Sequence, residues 1–88
     1  MPEVEYSREF ARRLHAKSPE MQGRILHAIE TLAENPRNPG LHGKKIKSAE
    51  GVFEARIDGG NRMTWEWIND GVIRLRTNCH HDQVLKNP

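Results

Sequence analysis

The chain has 88 residues and a formal net charge of +2, and 35% of its residues are hydrophobic. This length makes a single domain, expected to span residues 1–88, that buries only about 60% of its unfolded surface. A single cysteine, Cys79, excludes an intrachain disulfide, and the lack of a signal-peptide pattern or of an apolar run of about 20 residues predicts a cytoplasmic protein with no membrane partner.

The first half of the chain predicts a short strand and a helical hairpin. Residues 4–6 have the pattern of a strand, and Ser7 after them is a favourable N-cap for a first helix. Ser18, followed by proline and glutamate, predicts the start of a second helix. That helix should end at Asn35, because a residue that precedes proline avoids helical backbone angles.

The second half predicts a sheet, because the apolar period changes from about 3.6 to 2 after a loop over residues 36–43. Turns that contain glycine, whose backbone can take positive φ, separate the expected strands at residues 44–48, 52–57, 61–68 and 72–79. The elements together predict an α+β fold in which two N-terminal helices pack on one face of an antiparallel sheet.

Alternation along these strands sorts their side chains into two faces. The face under the helices should be apolar and should take much of its core from two tryptophans; its members are Phe53, Ala55, Ile57, Met63, Trp65, Trp67, Ile73, Leu75, Thr77 and Cys79. The opposite face should be polar and uncovered, with Glu54, Arg56, Arg62, Thr64, Glu66, Arg74, Arg76, Asn78 and His80.

Hairpin loops of three residues each, at 58–60 and 69–71, would keep the apolar side chains on one face. The resulting cross-strand neighbours are Arg56 with Arg62, Glu66 with Arg74, Thr64 with Arg76, and Arg62 with Asn78. The second of these pairs should be an ordinary surface ion pair. The two arginines of the first pair repel each other unless an anion lies between them, although Glu54 could neutralise Arg56 instead.

Basic residues cluster in the loop and the strand that follows it. No acidic residue lies between positions 36 and 47, whereas four basic ones do: Arg37, Lys44, Lys45 and Lys47. This pattern is typical of a nucleic-acid interface, although a solvated basic loop has the same composition. His42 in this segment could contact a phosphate or carry a proton.

Two adjacent histidines follow the last strand. Histidine is the side chain best suited to proton transfer near neutral pH, and alternation places His80 on the polar face and His81 away from it. With Asp82 they do not have the ligand spacing of a zinc site, so we expect no bound metal.

The sequence resembles the RelE/ParE superfamily of type II toxins over nearly the whole chain. The resemblance rests on the helical hairpin and on four segments in order: LHGKK at 41–45, GVFEARI at 51–57, NRMTW at 61–65 and NCHHDQV at 78–84. It implies a microbial-ribonuclease-like fold and a metal-independent endoribonuclease without cofactors. Such an enzyme cleaves mRNA, in many relatives on the ribosome, by attack of a ribose 2′-hydroxyl on the adjacent phosphate.

The resemblance also implies roles and partners. Arg56 and Arg62 would clamp the phosphate, His80 would do acid/base work with His81 in reserve, and Glu54 would be a base or an arginine partner. The RNA backbone would contact Lys44, Lys45, Lys47, His42, Arg76 and Asn78. The expected partners are a cognate antitoxin protein, mRNA and the ribosome.

Two features of the sequence depart from the superfamily pattern. Many relatives have a lysine at position 55 or close to it, whereas this chain has Ala55. The aromatic residues Phe53, Trp65 and Trp67 are assigned to the core, so none is expected to stack on a base. The superfamily also includes toxins that inhibit DNA gyrase without RNA chemistry. That activity, or a domain that only binds its partner, is the alternative to ribonuclease activity.

Overall fold

The computed structural model describes residues 2–84, 86 and 88. Its helices are α1 (Arg8–His15) and α2 (Pro19–Glu34), with a short 3-10 helix at Pro39–Leu41. Its strands are β1 (Glu3–Tyr6), β2 (Lys44–Lys45), β3 (Val52–Arg56), β4 (Asn61–Asn69) and β5 (Val72–His80). They form one sheet in the order β1-β5-β4-β3-β2.

The predicted α+β class is confirmed, but the sheet is mixed. Neighbouring strands from β2 to β5 are antiparallel, whereas β1 lies parallel to β5 with Glu5 opposite Arg74. The two helices separate β1 from the other strands in the sequence, so β1 reaches its partner by a crossover connection and not by a hairpin.

The helix boundaries follow the predicted signals. The Ser7 hydroxyl accepts a hydrogen bond from the Phe10 amide at 3.0 Å, and the Ser18 hydroxyl accepts one from the Met21 amide at 3.2 Å. At the other end of α2, Asn35 has extended backbone angles, as expected for a residue before proline.

The main core lies between the helices and one face of the sheet. Its buried members are Phe10, Ile25, Ala28, Ile29, Leu32, Leu41, Ala55, Met63, Trp65, Ile73 and Leu75. The prediction that both tryptophans belong to this core is wrong for Trp67, which is 44% exposed. Its side chain packs edge-to-face on Trp65 and lines a groove beside residues 35–39, beyond the end of α2.

The turn between β4 and β5 differs from the predicted three-residue loop. Trp67 pairs with Ile73 but Asn69 pairs with Val72, so Ile68 is an extra residue in β4. The remaining turn has two residues, and Gly71 takes a positive φ of 84°, which the absence of a Cβ permits. Next to this bulge the register is as predicted, with Glu66 opposite Arg74.

A second bulge changes the register of half of β5. Trp65 pairs with Leu75 and Thr64 with Thr77, so Arg76 is the extra residue. The predicted pairings of Thr64 with Arg76 and of Arg62 with Asn78 are therefore wrong. One added residue exchanges the two faces of a strand, so every later side chain of β5 lies on the face opposite to the predicted one.

The exchange is clearest at Asn78 and Cys79. Asn78, predicted on the polar face, is fully buried, and its amide donates to the main-chain oxygen of Phe10 in α1 at 3.2 Å. Cys79, predicted under the helices, lies opposite Arg62. Burial raises the pKa of the Cys79 thiol, which keeps it protonated and unreactive.

The predicted uncovered face is partly covered. A second apolar cluster on it joins Ile46, Val52, Cys79 and Val84. A main-chain oxygen of Pro88 also accepts hydrogen bonds from the Thr64 hydroxyl at 2.6 Å and from Nε of Arg76 at 3.1 Å. Two described residues after β5, Val84 and Pro88, therefore lie against this face, where Val84 and its apolar neighbours are removed from water.

Neither helix among the described residues has the length and apolar character that a membrane crossing requires.

Candidate functional site

Two arginines lie side by side on the sheet face away from the helices. Arg56 in β3 is the direct cross-strand neighbour of Arg62 in β4, so this prediction is confirmed. Like charges in such a position repel each other, and the surroundings of the two side chains show how each is accommodated.

Arg62 is held by its own hairpin. Its Nη1 donates to the main-chain oxygens of Asp58 at 2.6 Å and Asn61 at 2.9 Å. Its Nε lies 3.5 Å from a carboxylate oxygen of Glu54. These contacts fix the guanidinium of Arg62, and only 20% of its side chain is exposed.

Glu54 is a buried carboxylate with two cationic neighbours. Its side chain is 8% exposed, and the oxygen that faces Arg62 also lies 3.9 Å from Nζ of Lys44. The two residues belong to β4 and β2, the strands on either side of Glu54. The alternative expectation, that Glu54 neutralises Arg56, is therefore wrong.

Arg56 has a different environment. The described residues contain no carboxylate within ion-pair distance of its guanidinium, and Nη1 lies 3.5 Å from Nε2 of His42. His42 adopts a left-handed backbone conformation with φ of 47°, directly after the 3-10 helix. The guanidinium of Arg56 is therefore not neutralised by any carboxylate of the described residues, and it lies beside an imidazole.

The loop at residues 58–60 connects the two strands that carry Arg56 and Arg62, and hydrogen bonds to Asp58 hold its shape. The Asp58 carboxylate accepts hydrogen bonds from the Asn61 side-chain amide and the Gly60 main-chain amide, both at 2.9 Å. Arg24 of α2 reaches the same carboxylate at 3.2 Å. These hydrogen bonds, led by the one from Asn61, hold the pKa of Asp58 below its usual range. The side chain of Asp58 closes this turn, and neither of its glycines takes the positive φ expected there.

The two glycines of this loop lie between Arg56 and the histidine pair. A Cβ atom added to Gly59 would lie 4.0 Å from Nη2 of Arg56, and one added to Gly60 would lie 3.6 Å from Nε2 of His80. The loop thus has no side chain of its own at these two positions, one of which faces a guanidinium and the other an imidazole.

His80 is not where alternation predicts it. The bulge at Arg76 places His80 opposite Asn61 and not diagonally from Arg62 on the polar face. His80 approaches the two arginines only at the Gly60 end of the loop. The amide of His81 donates to the Gly60 oxygen at 2.9 Å, so the histidine pair is attached to the loop. Both imidazole rings are about half exposed.

Asp82 lies against both rings. Its carboxylate is 3.3 Å from Nδ1 of His80 and 3.1 Å from Nε2 of His81. The ligand-type atoms of the three side chains lie within 4.8 Å of one another. They could offer a metal ion three exposed ligands from adjacent residues, which is not the four-ligand set of a structural zinc site.

Arg76, a predicted RNA contact, is engaged within the fold. Its Nη1 lies 2.7 Å from a Glu66 oxygen, so the predicted ion pair between Glu66 and Arg74 is wrong although their register is right. Arg74 instead contacts Glu5 of β1 at 2.8 Å. The parallel pairing of β1 brings Glu5 to Arg74, and the bulge brings Arg76 to Glu66.

The other predicted RNA contacts are spread over two faces. Lys44 lies beside Glu54 on the sheet face that carries Arg56 and Arg62, which we call the arginine face. The next residue, Lys45, pairs with Phe53 on the helix side. Lys47 is exposed in the turn after β2. Asn78 is buried under α1 and has no surface to offer to RNA.

A groove that the sequence does not predict lies on the helix side of the sheet. Phe53, Trp65 and Trp67 line it together with the basic segment around Lys45. Alternation places the three aromatic side chains on one face, but the sequence pattern carries no signal that α2 leaves this end of the sheet uncovered.

No protein-family model matches the sequence, and no curated protein matches it significantly. Solved structures do match. The YoeB/ParE toxin from Agrobacterium tumefaciens aligns with a TM-score of 0.76 at 12% identity, covering 90% of this chain and 98% of that one. YafQ from E. coli strain BL21(DE3) aligns with a TM-score of 0.71 at 14% identity, covering 96% and 98%.

A third match is the RelB-RelE antitoxin-toxin complex from Methanococcus jannaschii. It aligns with a TM-score of 0.69 at 23% identity, covering 92% of this chain and 94% of the matched chain. These likenesses cover 90–96% of this chain and confirm the predicted RelE-like fold. At identities of 12–23% they establish the fold and not the activity.

Proposed function

We propose that this protein is the toxin of a type II toxin–antitoxin system and a metal-independent endoribonuclease, which cleaves mRNA on the ribosome and thereby inhibits translation. The observation that supports this most is the position of Arg56. It carries a charge that no described carboxylate neutralises, it lies directly opposite Arg62, and it contacts His42 at 3.5 Å. An RNA phosphate would supply the missing anion, and the planar guanidinium suits its oxygens.

The proposed phosphate position is above Gly59 and Gly60, next to Arg56. The two glycines permit close approach because they have no side chains. His42 lies beside Arg56, and His80 lies at the Gly60 end of the loop. Two imidazoles next to a cationic site are a suitable arrangement for the two proton transfers of RNA cleavage.

In the proposed reaction the ribose 2′-oxygen attacks phosphorus and the bond from phosphorus to the 5′-oxygen breaks. His42 takes the 2′-hydroxyl proton, and His80 donates a proton to the leaving 5′-oxygen. The products are a 2′,3′-cyclic phosphate and a 5′-hydroxyl end. Arg56 stabilises the negative charge that develops on the phosphate oxygens.

The other predicted site residues have supporting roles in this proposal. Glu54 serves better as an arginine partner than as a base, because its carboxylate is buried between Arg62 and Lys44. His81 positions His80 through its main-chain bond to Gly60. Lys44 and Lys47 would contact the RNA backbone on this face, where each phosphate contact adds salt-dependent affinity.

A cognate antitoxin is the proposed protein partner, as in the RelB-RelE complex that shares this fold. The proposed compartment is the cytoplasm, where mRNA and ribosomes are found. An antitoxin that covers Arg56 would supply the acidic group that this arginine lacks within the fold.

The test is mRNA cleavage in a reconstituted translation reaction, with the ends mapped by primer extension. Wild-type protein should cut the message, and His80→Ala should lower the rate about 10²- to 10⁴-fold. His27→Ala, on the exposed side of α2, should cut at the wild-type rate. Intact mRNA, or equal rates for His80→Ala and wild type, would contradict the proposal. Inhibition of DNA supercoiling by gyrase with intact mRNA would favour the alternative toxin class.

A further inference from the structure

The groove on the helix side has an aromatic floor and a basic rim, and we call it the aromatic groove. It has a volume of about 850 Å³. Phe53, Trp65 and Trp67 form its floor, residues 35–39 form one wall, and the edge strand β2 forms the other.

One tryptophan of the floor, Trp67, is exposed to solvent and can contact a ligand. The rings of Phe53 and Trp65 are stacked with centroids 4.7 Å apart, and Trp67 packs edge-to-face on Trp65 at 5.7 Å. Trp65 is 5% exposed but Trp67 is 44% exposed. The buried Trp65 packs on Trp67 and on the partly buried Phe53, so the indole of Trp67 is an exposed aromatic surface held by a packed neighbour and suited to a flat aromatic group.

The charge of the lining favours an anionic ligand. Among its described residues the groove has three permanent cations, Arg37, Lys44 and Lys45, together with His42, and it has no aspartate or glutamate. A ligand that combines a flat aromatic ring with negative charge fits this combination. A nucleotide has both features, and stacking on aromatic side chains beside basic residues is how proteins bind single-stranded nucleic acid.

The groove is continuous with the proposed phosphate site. His42 lines the groove and lies 3.5 Å from Arg56. Lys44 also lines the groove and lies 3.9 Å from Glu54 on the arginine face. The two sites are therefore separated only by the edge strand β2, which has two residues, and one extended strand of RNA can reach both.

We infer that the aromatic groove is a nucleobase-binding subsite. The base stacks on Trp67 and its phosphate contacts Lys45, while a neighbouring phosphate lies at Arg56. This inference rests on the proposed ribonuclease function and adds how the RNA is held. Continuity with Arg56 favours RNA over an acidic peptide as the occupant.

The test uses a single-stranded 2′-O-methyl RNA, which cannot be cleaved, and the full-length protein. In the wild type the indole N–H resonance of Trp67, assigned with Trp67→Phe, should shift on titration more than that of Trp65. Trp67→Ala should weaken RNA binding about 5- to 100-fold. Lys45→Ala should lower the dependence of log affinity on log salt by about 0.7.

A matched control is Leu26→Ala, which removes another exposed apolar side chain, on α2, and should leave RNA affinity unchanged. The wild-type titration and Trp67→Phe guard against a folding defect in Trp67→Ala. RNA binding and mRNA cleavage with an unmoved Trp67 resonance and unchanged affinity of Trp67→Ala would overturn the subsite while the ribonuclease function stands. Loss of antitoxin binding alone in Trp67→Ala would also overturn it, because the groove would then be a peptide site. An mRNA that stays intact would overturn the function itself.

Discussion

Arg56 and Arg62 face each other across two strands, yet only one of them is neutralised by the fold. Glu54 and the oxygens of the 58–60 loop hold Arg62, whereas Arg56 contacts the imidazole of His42. The asymmetry separates two roles. Arg62 belongs to the structure that supports the site, and Arg56 is the charge that the site offers to a ligand.

The open loop between Arg56 and His80 gives the first prediction. In Gly60→Ala the added methyl group would lie 3.6 Å from Nε2 of His80, in ordinary contact, so the protein should fold. The methyl group would occupy the proposed phosphate position, and we expect mRNA cleavage to fall at least about 10-fold, because a small displacement of reacting groups has a large effect on rate.

Gly23→Ala is the matched control for this change. A Cβ at Gly23 in α2 meets no atom within 4 Å, and alanine in a helix interior is about 0.5–1 kcal/mol more favourable than glycine. Its urea midpoint should rise and its cleavage rate should stay the same. Equal cleavage rates for Gly60→Ala and Gly23→Ala would contradict the proposed position of the phosphate above the glycine loop.

Glu54 gives the second prediction. Glu54→Gln keeps the size of the side chain but removes the charge between Arg62 and Lys44. We expect the free energy of unfolding to fall by about 1–3 kcal/mol, because a cationic group loses its buried partner. Urea unfolding followed by tryptophan fluorescence measures the change, and exposed Glu30→Gln is the control. An unchanged midpoint would show that the carboxylate does not hold Arg62.

Asp58 gives a prediction about pH. Its pKa is lower in the folded protein than in the unfolded chain, so the ionised carboxylate contributes stability above the unfolded pKa of about 4. That contribution is lost as the pH falls from about 4 through the folded pKa. Asp58→Asn should therefore destabilise the protein by about 1 kcal/mol at pH 7 and by less at pH 3.

Urea midpoints at both pH values measure this difference, and Asp70→Asn in the exposed turn before β5 is the control. The same loss for Asp58→Asn at pH 3 and pH 7 would mean that the charge of Asp58 is not what stabilises the loop.

The sequence was sufficient to predict the elements that depend on local chemistry. The caps at Ser7 and Ser18, the end of α2 at Asn35 and the pairing of Arg56 with Arg62 all follow from residue types and from the period of the strands. Each of these features depends on residues close together in the chain or on one short hairpin.

The errors in the second half of β5 share one physical origin. The bulge at Arg76 leaves no apolar residue out of place in the alternating pattern, because Thr77 and Cys79 can be buried on either face. After the bulge, Cys79 joins the second apolar cluster and Asn78 binds the main chain of α1. Tertiary contacts with the segment after β5 and with α1 therefore decide the register, and alternation alone could not place His80.

The most direct test of the account compares mRNA cleavage by Arg56→Gln and Arg74→Gln in the reconstituted translation reaction. Both changes remove one cation of the sheet, but Arg74 is paired with Glu5 and lies outside the proposed site. Arg56→Gln should cut about 10²- to 10³-fold more slowly than the wild type with an unchanged urea midpoint, and Arg74→Gln should cut at the wild-type rate. Equal cleavage rates for the two folded variants would contradict the assignment of Arg56 to the RNA phosphate.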